Sequence, residues 1–127
     1  MSSSRIKLFF DGGCRPNPGP MEAAVVVRGV VHLFENLGHG TSGDAEWLAL
    51  LCSLDLAHRA ELENFELIGD SLPVIQDAND LLSRPTARHI HAAAFLAAIE
   101  KIRPSRIRWI KRTQNLAGIA LAARHPR

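Results

Sequence analysis

The sequence predicts an α/β domain, a five-stranded mixed sheet flanked by helices. Three observations lead there. Apolar, β-branched runs alternate with longer helical patterns in the order β-β-β-α-β-α-α-β-α, an antiparallel opening followed by βα units. The chain has 127 residues, 46% apolar and 22% charged, which suits one ordinary core and excludes a disordered polymer. No repeat, linker or low-complexity segment divides it, so a single domain over residues 1–127 is expected.

The elements follow in order. Ile6-Lys7-Leu8-Phe9-Phe10 reads as a buried strand that ends in the carboxylate of Asp11, then Gly12-Gly13. Cys14 to Pro20 is a turn, rich in residues that fix or free the backbone. Ala23–Gly29 is a second strand and Val30–Asn36 a third, joined tightly through Arg28-Gly29. Gly38-His39-Gly40 closes this meander. Thr41 or Ser42 can cap a helix from about Asp44 to His58, with Asp44 and Glu46 at its positive end. That helix is apolar on nearly every side, so it is expected to be buried, and Glu46 with it. Phe65–Ile68 is a short strand followed by Gly69-Asp70-Ser71, repeating the arrangement of strand, carboxylate and turn. Leu72–Leu82 is helical, with Pro73 tolerated near its start. Ala87–Arg103 is a third helix, with Ile90, Ala94, Ala97, Ala98 and Ile102 as its apolar residues, ended by Pro104. Arg106–Lys111 alternates charged and apolar residues, a strand with one wet basic face. Asn115 can cap a last helix, Leu116–Arg124.

Composition narrows the setting. No apolar run approaches the length of a membrane span, and Met1–Arg5 lacks the apolar region of a signal peptide. Cys14 and Cys52 are too few for a disulfide framework and have no metal-finger spacing. A cytoplasmic monomer with free thiols is expected. Residues 1–83 hold five Lys/Arg against twelve Asp/Glu, whereas residues 84–127 hold ten Lys/Arg and only Glu100. This division suits a site that handles cations and a polyanion together.

Three carboxylates carry the chemistry: Asp11 after the first strand, Glu46 in the first helix, Asp70 after the fourth strand. Burying a lone carboxylate is costly, and a divalent cation compensates for it. Oxygen ligands without a Cys or His cluster suit Mg²⁺ or Mn²⁺ rather than zinc. Two such ions would activate water and stabilise a leaving oxygen in phosphodiester hydrolysis. Gly12 and Gly13 would let a nucleic-acid backbone come close.

In these residues the chain resembles the type I ribonuclease H family. The matching blocks are Asp11-Gly-Gly-Cys-x-x-Asn-Pro-Gly-Pro20, Ala45-Glu46-x-x-Ala49-Leu50, Asp70-Ser71 and Trp109-Ile-x-Arg112-x-x-Asn115-(x)5-Leu121-Ala122, which span nearly the whole chain. The resemblance implies a ribonuclease H-like fold and metal-dependent endonucleolytic cleavage of the RNA strand of RNA/DNA hybrids. Asp11, Glu46 and Asp70 would be the catalytic metal ligands, with Asp11 shared between two ions. Gly12, Gly13, Cys14, Asn17, Ser71 and Arg112 would lie along the nucleic acid. For Cys14 and Asn17 a turn-stabilising role is an equal reading.

The pattern also departs from the family. A fourth Asp is usual four residues after the Asn that opens the last helix; here that position is Ile119. By helical spacing it shares a face with Leu116 and Ala123, so it is expected in the core, and the second ion loses an anionic ligand. Ser42-Gly43 stands in place of an Asn pair, and Glu22 where a glycine is frequent. The Trp/Lys-rich protrusion used by some members is missing, and no His occurs in Arg112-Thr113-Gln114. The alternative is therefore a weakened or inactive module of the same fold that binds hybrid or double-stranded nucleic acid. The three retained carboxylates favour the enzyme, since a phosphate binder gains nothing from concentrated negative charge.

Overall fold

Residues 5–125 are described in the computed structural model of the protein; Met1–Ser4, in the stretch read above as lacking a signal-peptide region, lie outside them. The sheet is built on β1 (Ile6–Cys14), whose Leu8 and Phe10 are wholly buried on one face while Phe9 and Asp11 take the other. This strand does not end at Asp11. It continues through Gly12, Gly13 and Cys14, because β2 (Gly19–Val27) pairs with it antiparallel from Leu8↔Val27 to Cys14↔Met21. Asp11 therefore lies within a strand, and β2 starts at Gly19 rather than at Ala23.

Arg28 and Gly29, at φ 51° and 79°, form the tight turn that the sequence predicts, and Val27 pairs with Val30 across it. The next strand, β3 (Val30–Phe34), stops short of the expected Asn36, which has φ 57°. The two-residue β4 (His39–Gly40) returns to pair with Gly19 and Pro20.

Thr41 caps α1 (Ser42–Arg59) by a reciprocal capping box with Asp44. Asp44 is held at a pKa of about 2, first by the Thr41 backbone N–H and then by His91. Next, β5 (Phe65–Gly69) lies parallel to β1, buried throughout. After it come α2 (Leu72–Ser83) and α3 (Ile90–Lys101), then β6 (Arg106–Trp109), parallel to β5. A single 3₁₀ turn at Arg112–Gln114 leads into α4 (Leu116–Ala123), capped by Asn115 as expected. The strand order is β3-β2-β1-β5-β6, with β4 on the flank of β2. The five-stranded mixed sheet is as predicted, with one short strand added.

Helices α1, α2 and α3 share one core with the face carrying Leu8 and Phe10. On the opposite face α4 packs alone, through Ala117 and Leu121 against Ala24 and Val26.

Two apolar faces differ from their predicted course. In α3, which starts at Ile90 rather than Ala87, the buried residues are Ala92 and Phe95, while Ile90 is 80% exposed and Ala94 and Ala97 face solvent. Its rotation is set at its start: His89 caps the Ala92 N–H, His91 reaches Asp44 at 2.7 Å, and Phe95 meets Trp47 edge-on. In α4, Ile119 is 54% exposed and Leu116 46%. Ile119 is not a core residue, because only one stripe of this short helix touches the sheet.

The basic face of β6 is partly neutralised. Arg108 pairs with buried Glu66 at 3.0 Å, and beyond this strand Arg88 and Arg124 are also committed to carboxylates. Part of the basic charge counted in the sequence is therefore tied up in ion pairs.

Candidate active site

The site lies where two pairing patterns part. Parallel pairing of β1 with β5 stops at Phe9↔Ile68, yet β1 runs on beside β2 to Cys14. Beyond Phe9 the β5 flank of β1 has no strand, and such an opening at the carboxyl ends of parallel strands is where α/β sheets bind ligands. Here a cavity of about 570 Å³ is lined by Asp11, Glu46 and Asp70 together with Gly12, Gly13, Cys14, Arg15, Glu22, Ser71, Arg112 and Gly118.

Asp11, Glu46 and Asp70 come together as the sequence reading expects: each offers an oxygen within 4.8 Å of the others. Each is fixed by a different device. Gly12 lets α1 approach so closely that its own N–H donates to Glu46 Oε1 at 3.0 Å. Asp70 leaves the end of β5 and accepts from Asn115 Nδ2 at 2.8 Å; the same amide nitrogen donates to Phe10 O at 3.0 Å. Asp11 sits between them on the central strand.

Electrostatically the group is loaded. Burial, and after it the neighbouring Asp11, push Glu46 up to about 10. Asp11 is also raised, chiefly by burial, with Asp70 adding repulsion and Arg112 offsetting it. Glu46 is 8% exposed; when ionised its Oε2 has no donor to accept from, and without a cation a proton shared with Asp11 takes that place. An orphaned buried carboxylate oxygen facing two more carboxylates fits a hard divalent cation, which takes oxygen donors and relieves the repulsion.

A pH effect follows. The metal-free fold holds a proton on Glu46 that the unfolded chain releases near 4.5. Stability from this source is complete below that value and is lost as pH rises toward about 10. Thermal unfolding in EDTA should show Tm falling across this range, with a shallower fall in Glu46→Gln and in the presence of Mg²⁺ or Mn²⁺. An equal slope in wild type and Glu46→Gln would contradict it.

The other predicted residues divide. Gly13, Cys14, Ser71 and Arg112 line the cavity. Asn17 is engaged elsewhere: its amide exchanges two hydrogen bonds of 3.1 Å with Ser42, tying the turn to the start of α1. Cys14 Sγ donates toward Pro16 O and Gly40 O, so it too stabilises the turn. At Gly12 the absent side chain makes room for the protein itself, because a Cβ would lie 2.1 Å from Ala45 O.

Sequence reasoning passed over Asn115 as the anchor of Asp70, having seen only its capping role. It is wholly buried, and only the fold brings residue 115 to residues 10 and 70. It also missed Arg15, Glu22 and Gly118 as cavity residues, although Glu22 stood out as an unusual residue after the turn and Gly118 as a glycine inside a helix.

A family described as reverse transcriptase-like matches residues 9–125. A ribonuclease HI of Halobacterium salinarum is 36% identical over 72 residues, a match taking in 53% of this chain and 36% of that protein's length. Among solved structures, the RNase H1 of Halobacterium salinarum superposes with a TM-score of 0.77 at 25% identity, over 93% of this chain and 94% of the other. The N-terminal RNase H domain of a Mycobacterium tuberculosis protein gives 0.71 at 25% identity, over 95% and 96%. A compost-derived RNase H1, solved in complex with an RNA/DNA hybrid, shares the fold at 24% identity with a TM-score of 0.69, over 88% and 89%. Matched across residues 9–125 and in the order of its elements, the chain belongs to the reverse transcriptase-like family, as a type I ribonuclease H member.

Proposed function

We propose that this chain is a ribonuclease H that cleaves the RNA strand of RNA/DNA hybrids endonucleolytically, with divalent cations held by Asp11, Glu46 and Asp70. The observation that carries the reading is the convergence of these three carboxylates within 4.8 Å, one of them with a buried, unpartnered oxygen. Bound there, Mg²⁺ or Mn²⁺ would supply activation of water and charge stabilisation at the departing oxygen.

The chain's own groups prepare that chemistry. Asn115 and the Gly12 N–H hold two of the carboxylates in place before any substrate arrives. Arg15 and Arg112 are exposed on the cavity wall and have no ion pair among the described residues, so they are available for phosphates. Recognition of a hybrid through its wide, shallow minor groove needs 2′-hydroxyl and phosphate contacts rather than base reading. Ser71 makes no side-chain cap on α2, which leaves its hydroxyl for such a contact.

The test is cleavage of an end-labelled RNA/DNA hybrid over a range of Mg²⁺ and Mn²⁺, with Asp70→Asn as control. Cleavage confined to the RNA strand and absent from the control supports the enzyme. No cleavage, alongside salt-sensitive hybrid binding, would favour the binding module, a reading that draws on α4 presenting Gly118, Leu121 and Ala122 to the cavity and no carboxylate.

Ile119 offers a gain-of-function check. It is exposed, beside Gly118, where an added Cβ would lie 3.5 Å from Asp11 Oδ2 and 3.6 Å from Asp70 Oδ2. Ile119→Asp adds a carboxylate here without burying it. The metal concentration for half-maximal cleavage should fall roughly three- to tenfold, since ligand charge count sets affinity. An unchanged requirement would show that this position does not reach the ions.

A further inference from the structure

Among the described residues, the cavity has a fourth carboxylate that the reading above leaves unused. Glu22 lies on β2 directly opposite Gly13, as Ala24 lies opposite Asp11. Directly paired residues of antiparallel strands share a face, so Glu22 and Asp11 project to the same side of the sheet, the side covered by α4. Gly13 has no side chain of its own there; a Cβ would lie 3.1 Å from Leu121 Cδ2 and 3.6 Å from Glu22 Cγ, so Glu22 and Leu121 both lean over this glycine. The Glu22 side chain is only 15% exposed, and it lines the cavity with Asp11, Glu46 and Asp70.

At present both its oxygens are engaged. Arg124 Nη1 donates to Oε1 at 3.0 Å, and His125 Nε2 contacts Oε2. Arg124 has a second carboxylate partner outside the cavity, Glu35, at 2.7 Å. The guanidinium can therefore keep an anionic partner if Glu22 turns away. The unpartnered buried oxygen of Glu46 independently marks this cavity as short of positive charge.

We propose that Glu22 is a fourth cation-facing carboxylate of this cavity, shared between Arg124 and His125 on one side and a divalent cation on the other. It would restore from β2 the anionic ligand that α4 does not supply. The proposal rests on the reading of Asp11, Glu46 and Asp70 as cation ligands.

The test is calorimetric titration of the metal-free full chain with Mn²⁺, which needs no substrate and no turnover. Glu22→Gln should weaken binding about tenfold, a loss typical of removing a supporting group at a metal site. Arg124→Gln should tighten it, because the carboxylate loses its competitor. Glu35→Gln removes the same charge from the outer side of that arginine and leaves Glu22 as its remaining carboxylate partner, so it should weaken binding as well, but by clearly less than Glu22→Gln. Thermal melts check each variant; if Arg124→Gln unfolds, His125→Gln frees the other oxygen and should also tighten binding.

Equal weakening by Glu22→Gln and Glu35→Gln would reduce the effect to long-range charge and overturn the proposal. So would a shift in the same direction for Glu22→Gln and Arg124→Gln, which is the mark of a purely structural clamp. If wild type binds no Mn²⁺, or binds it equally well as Asp70→Asn, the three-carboxylate reading fails as well.

Discussion

Asp11→Asn should abolish cleavage of an RNA/DNA hybrid while making the metal-free protein more stable. The two effects have one cause. Asp11 lies between Glu46 and Asp70, each offering an oxygen within 4.8 Å of the others, and burial and Asp70 both raise its proton affinity. Neutralising it relieves repulsion in a partly desolvated group. The expected result is a higher unfolding midpoint than wild type, because the buried, repelled charge is gone. The same change removes the central ligand of the proposed cations. A loss of at least about 10²-fold in cleavage is expected, as for removing one preorganised electrostatic group from an active site. Urea unfolding in EDTA reads the first effect and gel-resolved hybrid cleavage the second. A less stable variant with retained activity would show that Asp11 is an ordinary strand residue.

Gly12→Ala should be the most damaging single-methyl change in the chain. A Cβ at this position would lie 2.1 Å from Ala45 O and 2.2 Å from Ala45 C, and both atoms belong to the backbone of α1. No side chain can rotate away, so α1 must withdraw from β1. Withdrawal opens the main core at Leu8, Phe10, Leu50 and Leu54 and pulls Glu46 Oε1 off the Gly12 N–H. Overpacking of this kind costs about 3 kcal/mol or more, lowering Tm by about 10 °C or more in a chain of this size. Gly118→Ala is the matched comparison. Its Cβ would meet Asp11 Oδ2 at 3.5 Å, an ordinary contact, and Gly118 lies inside a helix. There the exchange should stabilise by up to about 1 kcal/mol. Thermal melts of the two variants decide it; similar values would mean that α1 and β1 are not packed so closely.

The consequences for the site are linked. Because the glycine that admits α1 also donates to Glu46, packing and carboxylate placement cannot be varied separately at this point. Asn115 plays the corresponding part on the other face, where one side chain caps α4, holds Asp70 and bonds the backbone of Phe10. Both devices use small or neutral groups to hold charged ones, so the carboxylates themselves keep oxygen atoms free.

Much of this was legible in the sequence, because it depends on local rules. Alternating and 3.6-residue apolar patterns located every main element, and turn and cap chemistry set the Arg28-Gly29 hairpin and the starts of α1 and α4. The three carboxylates could be picked out because each stood at a recurrent kind of place, beside a buried strand or in the first turns of a buried helix. What only the tertiary structure decided is which groups face one another. Ile119 had the spacing of a core residue, but the sheet touches one stripe of α4 and leaves it exposed. The apolar face expected for α3 was displaced because His89 and His91 set the helix rotation through partners on other elements. Asp11 proved to lie inside its strand because pairing with β2 carries β1 past the point where β5 ends. A periodic pattern states how a segment divides into faces; long-range pairing and packing choose the face that is buried, and with it the side chains that share the cavity.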